Sequence, residues 1–194
     1  MAMKQTGGGV GPVWVGASGS GTEADPYVPS VAVAAGETLI GLVGAPDIAV
    51  TVTPTCDTNA YASGDLIFDS TAVANAVRAV GGHCVLHSVT VHDKADQGAA
   101  FTLVLLNAAT DMGTLNSAPD ADDTEAGTII GWVPIATTDY IDVGASKVAC
   151  VRGIGLGLKA GAATTSLYVA GINGTGTPTF GASDLVITLF FMRS

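Results

Sequence analysis

Charged side chains are scarce in this sequence. Asp, Glu, Lys and Arg make up 12% of its 194 residues, against roughly 25% in an average soluble domain. A surface with so few charges either consists of Thr, Ser, Asn and Gly or is covered by neighbouring subunits, because large obligate interfaces resemble a domain core cut in half. Charge depletion is typical of interface cores, so we expect the protein to form an oligomer.

Basic residues are the scarcer of the two charged types. The chain has seven Lys and Arg against 17 Asp and Glu, and its formal net charge is −10. No two of the basic residues are neighbours in sequence. Phosphate backbones are bound by clustered Lys and Arg, so this pattern argues against direct nucleic-acid binding. The negative charge also argues against binding to an anionic membrane surface.

Long hydrophobic runs are missing as well. The most apolar windows are interrupted by Gly, Thr or Asp well before the roughly 18 residues of a membrane-spanning helix. The first ten residues contain a Lys and three glycines in place of the apolar core of a secretory signal. This predicts synthesis in a cytoplasm, with reduced thiols. Cys56, Cys84 and Cys150 form no Cys-x-x-Cys pair and are interpreted as buried apolar side chains.

The N-terminal segment is rich in Gly and Ser. We predict an extended arm over residues 1–25, followed by a single domain over residues 26–194. Such an arm buries too little apolar surface to offset its ordering entropy unless another surface receives it. Trp14, between Val13 and Val15, is either an incidental side chain of a disordered tail or an anchor that docks on a neighbouring molecule. Both alternatives stay open.

Short apolar segments separated by turn residues follow the arm. The best defined are residues 48–54, 64–69, 84–93, 100–107 and 128–135, followed by YIDV, KVACVRG, IGLGLKA, SLYVAGI and DLVITLFFM. About ten strand candidates at this spacing predict an all-β fold, a single β-sandwich that is jelly-roll-like. Pro134 places its strand at a sheet edge or at a strand end. Residues 71–80 are compatible with either a helix or a strand.

The segment 84–93 alternates regularly enough to predict its two faces. One face is expected to carry Val85, His87, Val89 and Val91. The turn residues DKADQG then lead into the segment 100–107. This arrangement predicts a β-hairpin with a longer loop.

Three glycines alternate with aliphatic residues in one predicted strand, namely Gly153, Gly155 and Gly157. One face of that strand would be bare, while the other carries the aliphatic side chains. A bare face lets another backbone or a bulky side chain approach closely. No helix is predicted after the glycines, which argues against a phosphate-binding loop. Together with Val13, Trp14 and Val15, these glycines are the candidate interaction residues.

No residue set in the sequence predicts catalysis. His83, His87 and His92 fall in one predicted strand, where His83 and His87 would be about 13 Å apart, too far to bind one zinc ion unaided. The acidic run over residues 120–125 lacks the glycine-centred loop of an EF-hand and is interpreted as a solvated loop. We therefore expect a non-enzymatic protein with no cofactor and no metal site.

Four stretches of the chain resemble a family of phage-encoded virion structural proteins. They lie between about Thr51 and Phe180 and read VTVTPTCDTNAYASGDLIFD, AVRAVGGHCVLHSVTVHDKADQG, AFTLVLLN and TTSLYVAGINGTGTPTF. Members of this family are similar to capsid decoration, or cement, proteins, which sit on the outside of a head lattice. The resemblance implies a place on the capsid exterior, the major capsid protein as partner, and no catalytic residues. The long Gly-rich arm departs from the family.

The expected function is therefore capsid decoration by a homo-oligomer, with a trimer as the expected form. Each lattice contact makes the next one effectively intramolecular, and the arm would order on binding by adding a strand to a neighbour's sheet edge. One alternative is a tail or neck component, such as an adaptor or tube protein, which copy number per virion would distinguish. The other is a carbohydrate-binding β-sandwich module, which exposure of Trp132 and Tyr140 on one flat face would favour.

Overall fold

The described part of the chain consists almost entirely of β-strands. The computed structural model describes residues 15–18, 28–31 and 47–193. The strands are β1 (Val15–Ser18), β2 (Val28–Val31), β3 (Asp47–Val52), β4 (Leu66–Val73), β5 (His83–Asp93), β6 (Phe101–Leu106), β7 (Ile129–Ile135), β8 (Tyr140–Asp142), β9 (Lys147–Lys159), β10 (Leu167–Asn173) and β11 (Leu185–Arg193). Helical structure in these ranges is limited to α1 (Asp123–Ala126) and one 3-10 turn (Thr137–Asp139). The prediction of an all-β fold is confirmed.

β1 and β2 form a small unit of their own. They pair antiparallel, with Val15 opposite Val31, and are separate from the unit that begins at Ala45. Of the candidate interaction residues in the predicted arm, Val15 begins β1, whereas Val13 and Trp14 lie outside the described residues. The arm over residues 1–25 and the domain boundary after it stay predictions.

The larger unit is a sandwich of two antiparallel sheets. One sheet has five strands in the order β3-β11-β5-β9-β8, and the other has four in the order β4-β10-β6-β7. From β3 to β6, and again from β9 to β11, successive strands alternate between the sheets. Apart from the short edge strand β8, this is the strand order of an eight-stranded jelly roll. The sandwich prediction and its jelly-roll topology are therefore confirmed.

The predicted hairpin of β5 with β6 is wrong. β5 pairs with β9 and β11, whereas β6 pairs with β7 and β10 in the other sheet. The turn that follows Asp93 therefore carries the chain across the sandwich. Asp93 is fully buried, and its carboxylate accepts hydrogen bonds from the backbone N–H groups of Ala95 (3.0 Å) and Gly98 (2.7 Å). These two hydrogen bonds fix the backbone of the turn that follows β5.

The main core fills the space between the sheets. Alternate residues of β11 point inward and are almost completely buried, among them Ile187, Leu189 and Phe191. Burial of each such side chain contributes about 1.5–3 kcal/mol. At one end of the core the buried Tyr61 ring lies 6.1 Å from the Phe180 ring, and the tyrosine hydroxyl is within hydrogen-bonding distance of backbone atoms of Asp57 and Ile67. Aliphatic burial thus supplies most of the core, and hydrogen bonds satisfy the buried hydroxyl of Tyr61.

A second apolar cluster lies on the outer side of the four-stranded sheet. The loop between β6 and β7, residues 107–128, folds back over this side and covers a cluster made of Leu66, Val104, Leu106, Met112 and Ala170. Backbone hydrogen bonds join Leu66 to Asn116 (2.9 Å) and to Ser117 (2.8 Å). The loop is therefore fastened to the sheet that it covers.

Two further predictions are settled by the strand boundaries. β4 ends at Val73, and residues 74–81 form turns, so the segment 71–80 is neither a helix nor a continuous strand. β7, which contains Pro134, is an edge strand of the four-stranded sheet, as its proline predicts.

We expect Asp93→Ala to lower the free energy of unfolding by about 2–4 kcal/mol, because it leaves two partly buried N–H donors without an acceptor. Asp142→Ala is the matched control. Its carboxylate is exposed and accepts one hydrogen bond, from Gly144 N–H at 2.7 Å, so the expected cost is below about 1 kcal/mol. Urea denaturation of both variants measures the difference. Equal losses would contradict the role given to Asp93.

Candidate interaction surface

The outer face of the five-stranded sheet is not covered by any other segment of residues 47–193. We call this surface the open face and define it by Asp47, Ala49, Thr51, Val85, Ser88, Thr90, Cys150, Arg152, Lys159, Thr188, Phe190 and Met192. Thr188 lies between Thr51 and Thr90 in the sheet register, and the hydroxyls of Thr51 and Thr188 are 2.9 Å apart. Most of the face therefore consists of hydroxyl and apolar groups.

Two large apolar side chains of β11 are exposed on the open face. Phe190 is 38% exposed and Met192 is 43% exposed. Together with Asp47 and His87 they border a surface cleft of about 350 Å³. Exposed apolar groups of this size are unfavourable in water unless a partner covers them. The open face thus has the composition of an interface.

A bulge in β5 shapes the open face. Leu86 is opposite Phe191 and Ser88 is opposite Phe190, which leaves His87 as an extra residue. Such a bulge shifts the alternation of side chains by one position. Cys84 and Leu86 are buried before the bulge, and Val89 and Val91 after it, while His87 is exposed. The predicted common face of Val85, His87, Val89 and Val91 is therefore wrong.

The candidate glycines of β9 form a second irregularity opposite the first. Leu156 pairs with Leu86 and Arg152 pairs with Ser88, so residues 153–155 stand opposite His87 alone. Gly153 and Gly155 have φ angles of +69° and +65°, a left-handed conformation that costs an L-residue about 1–2 kcal/mol. The backbone conformation at these two positions therefore favours glycine over other residues.

Gly157 differs from the other two candidate glycines because its φ is not in the left-handed range. For all three glycines, an added Cβ would have no described atom within 4 Å. The bare strand face expected from the sequence is present, but nothing from the described residues approaches it. Its contact with another molecule stays a prediction. The glycines lie beside Arg152 at the open face, whereas Val15 belongs to the separate β1–β2 unit.

The opposite side of the sandwich is acidic. We call residues 107–128 the acidic loop, after its carboxylates Asp111, Asp120, Asp122, Asp123 and Glu125. Two of them cap α1. Asp122 accepts from the backbone N–H of Glu125 at 2.8 Å, and Glu125 accepts from the backbone N–H of Asp122 at 2.8 Å. Across residues 47–193 and the two short strands before them, no group of three or more His, Cys, Asp or Glu is placed to hold a metal ion.

Trp132 is the most exposed large apolar side chain in the described ranges. It is 66% exposed and points outward from β7, opposite Val104 of the cluster beneath the acidic loop. Tyr140, in contrast, packs against the main core, where burial and then the nearby Asp93 and Asp139 raise its pKa. The two aromatics do not share one flat face, so the structure does not favour the carbohydrate-binding alternative.

The three cysteines are free and differ in exposure. Cys56 and Cys84 are buried as predicted, and burial raises the pKa of Cys56 to about 12 and that of Cys84 to about 11. Cys150 is exposed on the open face, so the prediction that it is buried is wrong. Cys150 is paired with Thr90 of β5, which lies on the open face. The Cys150 side chain therefore points outward as well.

No helix in the described residues is long and apolar enough to cross a bilayer.

Comparisons with known proteins add little to this description. No family model matches the chain, and no curated protein matches it. One solved structure that matches is that of the infectious bursal disease virus Gx strain, with 10% sequence identity and a TM-score of 0.28. The match covers 97% of this chain and 46% of that chain, so this chain spans less than half of its length. A TM-score this low carries no argument about fold or function, and the resemblance to phage virion proteins stays a prediction.

We expect Gly155→Ala to lower the free energy of unfolding by about 1–2 kcal/mol, because an L-residue is strained at positive φ. Gly157→Ala is the matched control on the same strand, with an equally open environment and ordinary backbone angles. It should change stability by less than about 0.5 kcal/mol. Chemical denaturation of both variants tests the bulge, and equal effects would contradict it.

We expect a thiol-reactive dye at pH 8 to label one cysteine of the folded protein rapidly and all three after unfolding. The rapid site is Cys150, because Cys56 and Cys84 are buried and their raised pKa values keep both thiols protonated. Cys150→Ser should abolish rapid labelling. Rapid labelling that persists in this variant would show that a buried thiol is accessible.

Proposed function

We propose that this protein is a non-enzymatic structural component of a bacteriophage virion. More specifically, we propose a capsid decoration (cement) protein that binds the lattice of major capsid protein and stabilises it. It would be made in the host cytoplasm, assemble as a homo-oligomer and bind the exterior of the head. Neither nucleic acid nor a membrane has a part in this proposal.

The observation that carries the proposal is the open face. A sheet surface made mainly of threonine, serine and apolar side chains has no cover from residues 47–193, and Phe190 and Met192 are exposed on it. Few charges together with exposed Phe and Met side chains are typical of the cores of subunit interfaces. The jelly roll is compatible with this reading but does not select it, because the same architecture occurs in viral capsid proteins, lectins and cupins.

The proposed mechanism divides the work between two parts of the chain. The sandwich is a stiff body, since both of its sheets are packed on a continuous core, and neighbouring copies can contact one another through it. The arm over residues 1–25 would bind the major capsid protein, with Trp14 as its anchor. Repeated weak contacts of both kinds over a lattice add up through multivalency. Such bridges between capsid subunits would resist the pressure of packaged DNA.

Deletion of residues 1–25 should abolish binding to empty heads of the phage that encodes this chain, and leave the sandwich folded. Binding is measured by co-sedimentation, and folding by comparing thermal unfolding with that of the full chain. Trp14→Ala should weaken binding in the same direction. Attachment of the truncated chain at the level of the full chain would sink the arm mechanism.

The full chain must also bind heads in hundreds of copies if it decorates the lattice. Quantitative electrophoresis of sedimented heads gives this number. A saturation value of a few copies per head would contradict decoration, and is the value expected of a neck or tail component.

A further inference from the structure

Charge is divided between the two sides of the sandwich. No Lys or Arg occurs in β4, β6, β7, β10 or the acidic loop, whereas these segments carry the acidic loop's carboxylates and Asp69. The open face carries Arg152 and Lys159, both exposed, and its only carboxylate is Asp47 on the edge strand β3. The cationic side chains of this face are thus opposite in sign to the net charge of the chain, which is −10.

The exposed apolar side chains of the two sides are also chemically complementary. The acidic side presents one large aromatic, Trp132, on the strand that follows the acidic loop. The open face presents Phe190 and Met192, with Arg152 two strands away from Phe190 in the same row of the register. Arg pairs favourably with carboxylates and with the face of Trp, and Met sulfur packs well against aromatic rings. Each side therefore offers what the other can bind.

From this match we infer that copies of the chain associate front to back, with the open face of one copy on the acidic side of the next. The inference rests on the proposed function for self-association and names the surfaces that carry it. A contact between two different surfaces is heterologous. A twofold pairing of two open faces would be isologous instead and would leave the acidic side of each copy without a partner. A closed trimer requires a heterologous contact, because a threefold axis cannot place identical patches against each other.

The first measurement is the mass of the full chain by light scattering at low and high salt. We expect a trimer of the 19.2 kDa chain at about 0.05 M salt and partial dissociation at about 0.5 M, because salt screens exposed charge pairs. A monomer at low salt would overturn both the inference and the self-association in the proposed function. It would leave binding to heads as a separate question.

Charge reversal on either side tests the surfaces directly. One variant is Arg152→Glu with Lys159→Glu on the open face. The other is Asp120→Lys with Asp123→Lys on the acidic loop, where the capping bonds of α1 belong to Asp122 and Glu125 and stay intact. Each variant alone should associate at least tenfold more weakly than the original chain, because its two contact surfaces then carry like charges.

Mixing the two reversed variants should restore association. The acidic open face of the first variant then meets the basic loop of the second, and the unaltered surfaces still match each other. Two of the three contacts in a mixed trimer are therefore matched, so the mixture should associate more strongly than either variant alone and more weakly than the original chain. Restoration by mixing also shows that both variants are folded. The control Lys94→Glu removes a cation that is exposed in the turn after β5, outside both surfaces, and should leave the mass unchanged.

Trp132→Ala provides an independent readout, with Val80→Ala as its control, since Val80 is 60% exposed in the turns after β4. Loss of association in the first variant and not in the second is expected. The inference is overturned if trimers persist in both charge-reversed variants, or if the mixture of the two stays monomeric. In the first of these cases, self-association in the proposed function would survive and only the assigned surfaces would be wrong.

Discussion

The pairing of β11 between β3 and β5 is the constraint on which the rest of the larger unit depends. β11, the last strand of the described chain, lies between β3 and β5. The five-stranded sheet therefore forms only when chain segments that are far apart in sequence pair with one another. Its inward residues, from Leu185 to Phe191, are among the most buried in the protein. Their burial forces the intervening residues, Phe190 among them, outward. The outward direction of Phe190 on the open face is therefore a direct consequence of how the core is packed.

β5 and β9, the next two strands of the sheet after β11, each contain a bulge. β5 has one extra residue at His87, and β9 has a wider bulge at residues 153–155 opposite it. Without a bulge, strict alternation in β5 would turn either its first half or its second half away from the core. The bulges let Leu86 and Val89 both point inward. They also place the left-handed glycines Gly153 and Gly155 beside Arg152. The same two bulges therefore allow the core to pack and determine the shape of the outer surface.

Structural features that depend on neighbouring residues along the chain can be predicted from the sequence. Features that depend on pairing between distant strands cannot. Most strands, the glycine-rich bare face and the edge position of Pro134 follow from local alternation and turn chemistry. The hairpin of β5 with β6 is wrong because the turn after Asp93 has the length of a hairpin loop, and only the pairing with β11 shows that it crosses the sandwich. The bulge at His87 leaves no local signal, so the two faces of β5 could not be assigned. Cys150 is misplaced for a related reason, since its direction is set by pairing with Thr90.

The division of charge between the two sides could not be predicted from the sequence either, because it appears only when each strand is assigned to its sheet. Along the chain, Arg152 and Lys159 are two cations in an acidic protein, and Trp132 is an isolated aromatic next to Pro134. In the sandwich they belong to opposite sides. A chain with 12% charged residues and a net charge of −10 has few charges with which to direct its contacts, and a mixed distribution would give both sides the same negative sign. Their segregation gives each face a sign, and on a surface otherwise made of threonine and apolar groups that sign sets which face a neighbour meets.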